Sequence, residues 1–280
     1  MIIFKRASEI TDYLSRLSEE DTPVGFVPTM GALHEGHLSL LDASRKQNSV
    51  TVCSIFINPS QFNNPEDFRL YPVTVEKDIE MLIAHGCDVL FLPPVEEIYP
   101  PGYVAPAYDL GAMEHVLEGH YRPGHFQGVC QVVDRLLDII SPDRIYLGQK
   151  DFQQCMVIKK LLELTGKNAR IQIQIMPTIR EADGLAMSSR NLRLNEDERR
   201  VAPALFHELS VIRAGLPGNS IEQLEHDAYR NLENNGFSVD YIKVVNANSL
   251  APAQNISEPL VAVAAASIGG IRLIDNLILN

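Results

Sequence analysis

The feature that most constrains the fold is the alternation, over the first two thirds of the chain, of short β-rich runs with helical repeats. The runs stand at residues 24–27, 50–57, 89–92, 144–147 and 171–176 and read as five buried strands. Between them lie helical patterns at 38–46, 75–84, 128–140 and 151–165, with stop signals at Gly86, at Ser141 and Pro142, and at Gly166. Within the second, Val75, Ile79, Leu82 and Ile83 recur at helical spacing, so one stripe is buried against a sheet. The pattern predicts an α/β fold with a doubly wound, mostly parallel, Rossmann-like sheet.

Past residue 176 the pattern changes. A polar loop at 177–195 leads to helices at 196–213 and 221–234, then to β-like runs at 239–245, 260–265 and 271–277. This order predicts a large unit over 1–177 and a smaller α+β unit over 178–280 that serves as a lid.

Composition narrows the function. With 45% apolar residues and no uninterrupted apolar run of about 18, the chain of 280 residues is expected to be soluble. The start, MIIFKRASEI, lacks the order of a signal peptide, so a cytoplasmic location is expected. A net charge of -12 without a basic tract argues against a nucleic-acid partner, and any anionic substrate needs a locally basic pocket. Cys53, Cys87, Cys130 and Cys155 have neither CxxC nor zinc-finger spacing and read as reduced, unliganded thiols.

In an open parallel sheet, ligands bind beyond the carboxyl ends of the strands. Four polar segments follow predicted strands: 28–37, 58–62, 148–151 and 178–191. All should open onto one edge.

The first, PTMGALHEGH, offers a tight turn at Gly31, a helix start with free amides for phosphate, and His34 and His37 on one helical face. Fixed donors of this kind stabilise charge building on phosphorus or on a departing pyrophosphate. The pair could equally be two idle surface histidines; a zinc site fails for want of a third ligand. In GQKD, Lys150 can charge a phosphate and Asp151 can cap a helix or accept from a ribose, unless the two are a solvated pair. MSSRN brings two hydroxyls and Arg190, a phosphate clamp or else a capping serine with a surface arginine. NPSQF supplies amides and an aromatic wall suited to a small polar molecule, or merely an Asn-Pro turn.

Together PTMGALHEGH, FINPSQF, RPGHFQGV, GQKDFQQ and MSSRN, in this order and extending to RLIDN at 272–276, resemble the pantothenate synthetase family of the HxGH nucleotidyltransferases. The resemblance implies ATP-dependent condensation of pantoate with β-alanine through a pantoyl adenylate, with ATP as substrate and Mg²⁺ carried on its phosphates. It implies ATP contacts from Met30, Gly31, Ala32, Leu33, His34, Glu35, Gly36 and His37, from Gly148, Gln149, Lys150 and Asp151, and from Ile179, Met187, Ser188, Ser189 and Arg190. His34, His37, Lys150 and Arg190 would serve catalysis, the histidines as electrostatic donors, although His37 is read as a proton donor in such families. Gln61, Gln154, Phe62, Val129 and Arg122 would hold pantoate, and no resident metal is implied. The family also suggests a homodimer. The chain departs from the family pattern at Val73, Gln127, Gln131 and Gly270, which bear on loop electrostatics and the β-alanine side. Two other readings share the residues: a nucleotidyltransferase that leaves the nucleotidyl group on its product, and a nucleotide-binding regulator without turnover. The paired histidines with Lys150 and Arg190 argue against the latter, since a binder needs no transition-state donors.

Overall fold

The computed structural model describes the backbone of residues 1–280 and all side chains except those of residues 18 and 19. Six strands, β1 (Ile2–Phe4), β2 (Val24–Thr29), β3 (Val50–Ile55), β4 (Val89–Phe91), β5 (Arg144–Gly148) and β6 (Gln172–Met176), form one sheet in the order β1-β4-β3-β2-β5-β6. All its pairings are parallel. Every residue of β4 and residues 51–55 of β3 are buried, which a sheet covered on both faces requires.

The covering helices are α1 (Ala7–Glu19), α2 (Glu35–Gln47), α3 (Val75–Ala84), α4 (His125–Ile140) and α5 (Phe152–Leu164). Leu14 of α1, Leu137 of α4 and Leu161 of α5 join the core on one face; Leu41 of α2 and Leu82 of α3 join that on the other. The doubly wound expectation therefore holds, with one correction: β1 is a sixth strand. It is a three-residue edge strand with Ile2 and Ile3 exposed, too short to show a period.

Beyond residue 195 the predicted helix 196–213 is two helices, Glu196–Val201 and α6 (Ala204–Gly215). Pro203 separates them, having no N–H to continue the ladder. Helix α7 (Ile221–Asn234) and α6 cover one face of an antiparallel sheet, β7 (Ser238–Asn246), β8 (Leu260–Ile268) and β9 (Ile271–Ile278), ordered β7-β8-β9. The other face, through Tyr241, Val261 and Val263, packs on Phe152 and Met156 of α5. Strand β8 is thus apolar on both sides, and the small sheet is bolted to the large one. No described helix is long and apolar enough to cross a membrane, and all four cysteines are buried free thiols.

The chain turns from one side of the sheet to the other between β2 and β5. These strands pair only at Gly25 and Phe26 and then part. Pro28 sits in β2 beyond that point, where there is no β5 partner for its missing donor to lose. The parting opens a cleft.

Candidate active site

The cleft, about 210 Å³ inside, is walled by the ends of β2, β3, β5 and β6, as expected for a switch point. Its lining includes Met30, Gly36, His34 and His37 after β2, Gln61 after β3, Gly148 at the end of β5, and Lys150 and Asp151 after it. Gln154 of α5 and Val129 of α4 line it too, and Ile179, Met187, Ser188, Ser189 and Arg190 come from the segment after β6. Val132, Val133 and Leu136 extend the apolar wall that Val129 begins, a continuation at helical spacing that the sequence reading did not draw.

Gly31, Ala32, Leu33, Glu35 and Gln149 do not line it; nor do Phe62 and Arg122. Gln149 donates instead to Asn276 Oδ1 (3.1 Å), and Asn276 Nδ2 donates to the carbonyls of Gln149 (2.8 Å) and Lys150 (2.9 Å). Strand β9 so fixes the turn that carries Lys150. Phe62 lies in an aromatic cluster with Phe68 (5.3 Å) and Tyr71 (5.8 Å). Arg122 lines an adjoining cleft that shares Lys150, Asp151, Ser188 and Arg190, and it pairs with Glu118 at 3.6 Å.

The helix start at His34 differs from expectation in a way that decides its chemistry. Most of the amides there are not free. Gly31 N donates to Thr29 Oγ1 (3.2 Å), while Ala32 N and Leu33 N donate to the two oxygens of Asp78 (2.9 Å each). His34 caps α2, its Nδ1 accepting from Gly36 N (3.1 Å), and His37 Nδ1 accepts from His34 N (3.3 Å). A ring nitrogen that accepts carries no proton, so on each neutral imidazole the proton sits at Nε2. The rings lie 4.0 Å apart.

Charge on these rings is suppressed. Burial, then the Lys150 ammonium, lowers the His34 pKa to about 4 against a partial offset from Asp151; burial, His34 and Lys150 hold that of His37 well below 6.5. Near neutral pH the pair is therefore two uncharged N–H donors, and the cations are Lys150 and Arg190.

Arg190 is not idle: its Nη2 donates to Asp67 Oδ2 (2.8 Å), and Arg193 Nη1 takes Asp67 Oδ1 (3.0 Å). Burial raises the Asp67 pKa, but its two arginines outweigh that and leave it lowered. Ser188 Oγ accepts from Arg190 N (3.3 Å), and the buried Ser189 hydroxyl donates to the Ala32 carbonyl (2.9 Å). The two turns are thereby tied together.

Gln61 is placed by Asn58, from its own NPSQF segment, and by His125, from RPGHFQGV. Asn58, buried, donates to Gln61 Oε1 (3.1 Å) and to the Gly128 carbonyl (3.0 Å). His125, whose pKa is lowered to about 3 by burial first and by Arg122, donates from Nδ1 to the Gln61 carbonyl (2.8 Å). A Cβ at Gly128 would stand 2.4 Å from the Ser60 carbonyl, so only glycine lets α4 approach this turn. Of the departures from the family pattern, Gln127 clamps Tyr108 (3.0 and 2.8 Å) and Gln131 reaches the Pro106 carbonyl (3.1 Å); neither lines the cleft. Val73 is exposed, and Gly270 lines the adjoining cleft.

The fold and the cleft define a doubly wound α/β protein whose ligand site lies at its switch point, lined by a neutral histidine pair and two cations. Residues 2–278 match the model of the family described as pantoate-beta-alanine ligase. Curated pantothenate synthetases from Cytophaga hutchinsonii (42% identical, 100% of this chain and 99% of that one) and Moorella thermoacetica (41%, 100% and 99%) are similar throughout. So is the crystal structure of pantothenate synthetase from Thermus thermophilus, at 37% identity and a TM-score of 0.93 over 100% of this chain and 99% of that one. The ligase from Francisella tularensis, solved with a β,γ ATP compound and β-alanine, is 35% identical with a TM-score of 0.84 over 100% and 98%. The chain belongs to the pantoate–β-alanine ligase family and is an enzyme of that class.

Proposed function

We propose that the enzyme condenses (R)-pantoate with β-alanine in two steps at this one cleft, releasing AMP and pyrophosphate. In the first, a pantoate carboxylate oxygen attacks the α-phosphorus of ATP, and the bond to the β-phosphate bridging oxygen breaks with its electron pair on pyrophosphate. In the second, the neutral amine of β-alanine attacks the acyl carbon of pantoyl adenylate; the C–O bond to AMP breaks and the nitrogen loses a proton. The observation that carries the reading is the pair of uncharged Nε2–H donors at one turn with Lys150 and Arg190 at two others, all lining one cleft. Adenylate formation needs charge stabilised on phosphate oxygens and no protein nucleophile.

In this reading His34, His37, Lys150, Ser188 and Arg190 hold the phosphates, and Gly148, Asp151, Ile179 and Met187 hold the nucleoside. Gln61 and Gln154 grip pantoate against the apolar wall of Val129. Neutral histidines cannot act as acids of ordinary strength here, which favours the electrostatic role over proton donation. Asp151 is the one acid among the described residues of the lining, and one carboxylate suits a Mg²⁺ that enters on the triphosphate, where it would neutralise phosphate charge. The unit 178–280 contributes the Ser188–Arg190 turn as the closing wall, and the protein works as a cytoplasmic homodimer. With ATP, Mg²⁺, pantoate and β-alanine, AMP and pyrophosphate should appear one for one with pantothenate. Equal AMP formation without pantoate, or an adenylylated end product, would refute the ligase reading.

A further inference from the structure

Asp78 lies on α3, distant in sequence from the histidines, and is 1% exposed. Gly31 (φ +82°) and Ala32 (φ +49°) have successive positive φ values. A turn of this kind gathers consecutive amides into a concavity that binds an anion. Here the anion is supplied from inside the protein. Each Asp78 oxygen accepts one amide, and Thr74 Oγ1 also donates to Oδ1 (3.0 Å). A Cβ at Gly31 would stand 3.1 Å from Asp78 Oδ2, so residue 31 is fixed by the carboxylate as well as by its backbone. The strained φ of Ala32, a non-glycine residue, persists only because something over-determines it.

We propose that Asp78 is a positioning residue for the histidine pair: its carboxylate fixes the turn at 31–33 and so fixes where His34 and His37 present their Nε2 protons. Leu33 is followed directly by the capping residue His34, and His37 is locked to His34 by the reciprocal cap. A displaced turn therefore moves both rings together. The inference rests on the reading of the pair as donors to the reacting phosphates.

Asp78→Asn keeps the shape but sets an NH₂ group against an amide N–H. In pantoate-dependent exchange of pyrophosphate into ATP, the folded variant should lose rate on the order of a hundredfold, the scale of ångström misplacement. The KM for ATP should change little, since Lys150 and Arg190 remain. Ring NMR should show His34 and His37 titrating closer to 6.5, although the groups that face them, Lys150, Asp151 and each other, are unaltered. A merely structural carboxylate would leave the rate per folded molecule and the ring titrations unchanged, and that result overturns the proposal. Should Asp78→Asn not fold, Thr74→Val decides: a drop of about threefold with normal ATP KM supports the proposal, and an unchanged rate overturns it. His34→Ala and His37→Ala are the controls. If both exchange at the normal rate, the donor reading fails and this inference with it; if they are slow and Asp78→Asn is normal, only this inference fails.

Discussion

Two turns meet in the cleft, and folding leaves them different amounts of freedom. The turn at 30–37 is held internally: most of its amides are taken by protein acceptors, its histidines cap their own helix, and the acid beneath it is buried. The turn at 188–193 carries its working cation in an exchangeable pair, Arg190 with Asp67, each side chain about a quarter exposed. Arg190 also lines the cleft, and Asp67 has Arg193 as a second partner, so a phosphate bound there can draw on Arg190 without leaving Asp67 unpaired. On the proposed reaction, donors that meet developing charge gain from being fixed beforehand, whereas a clamp that lets pyrophosphate leave gains from being exchangeable.

The difference between the two turns should show most strongly when a fixed donor is removed. His37→Ala should lower the rate of adenylate formation by at least about a hundredfold, the usual loss when a preorganised donor is deleted. Pre-steady-state release of pyrophosphate measures it, and a near-normal rate would reduce the first turn to scaffold. A smaller effect is expected at the exchangeable turn. Asp67→Asn removes the internal competitor of Arg190, so the KM for ATP should fall by about two- to fivefold with kcat little changed, the scale of a partly exposed pair. A rise in KM would mean that Asp67 aims Arg190, making the second turn as fixed as the first.

How far the sequence announced this contrast depended on how local each cause is. Alternation of strand and helix carries its own period, so β2 to β6 and the winding of the large sheet were legible, as was the convergence of four polar segments on one edge. Strand β1 was not, because three residues at an edge have no period to read. Of the site, the types and spacing of His34, His37, Lys150 and Arg190 pointed to an anion. Their surroundings were not legible, because each turn has a partner far along the chain: Asp78 beneath the first turn, Asp67 on Arg190, Asn276 on the Lys150 turn. Asp78 left one trace, falling three residues after Val75 on the stripe where α3 is otherwise apolar. An acid there is buried and must have partners. Gln149, which the resemblance set among the ATP contacts, has its side chain on Asn276 instead, again a partner far along the chain.

Ser189 joins the two turns and gives the finest test of their difference. Its hydroxyl looked like a phosphate ligand in sequence, but the single proton it can donate goes to the Ala32 carbonyl, in the turn held by Asp78. Ser189→Ala should therefore cost about 1 kcal/mol of stability, the net worth of one such hydrogen bond, seen as a lower melting temperature. Because Asp78 still holds the first turn and Lys150 and Arg190 still face the cleft, adenylate formation should slow by only about two- to fivefold. A loss near that of His37→Ala, with the melting temperature unchanged, would show the hydroxyl turning to the phosphates when ATP binds, and the second turn would then be reorganised by its ligand rather than merely unpaired from Asp67.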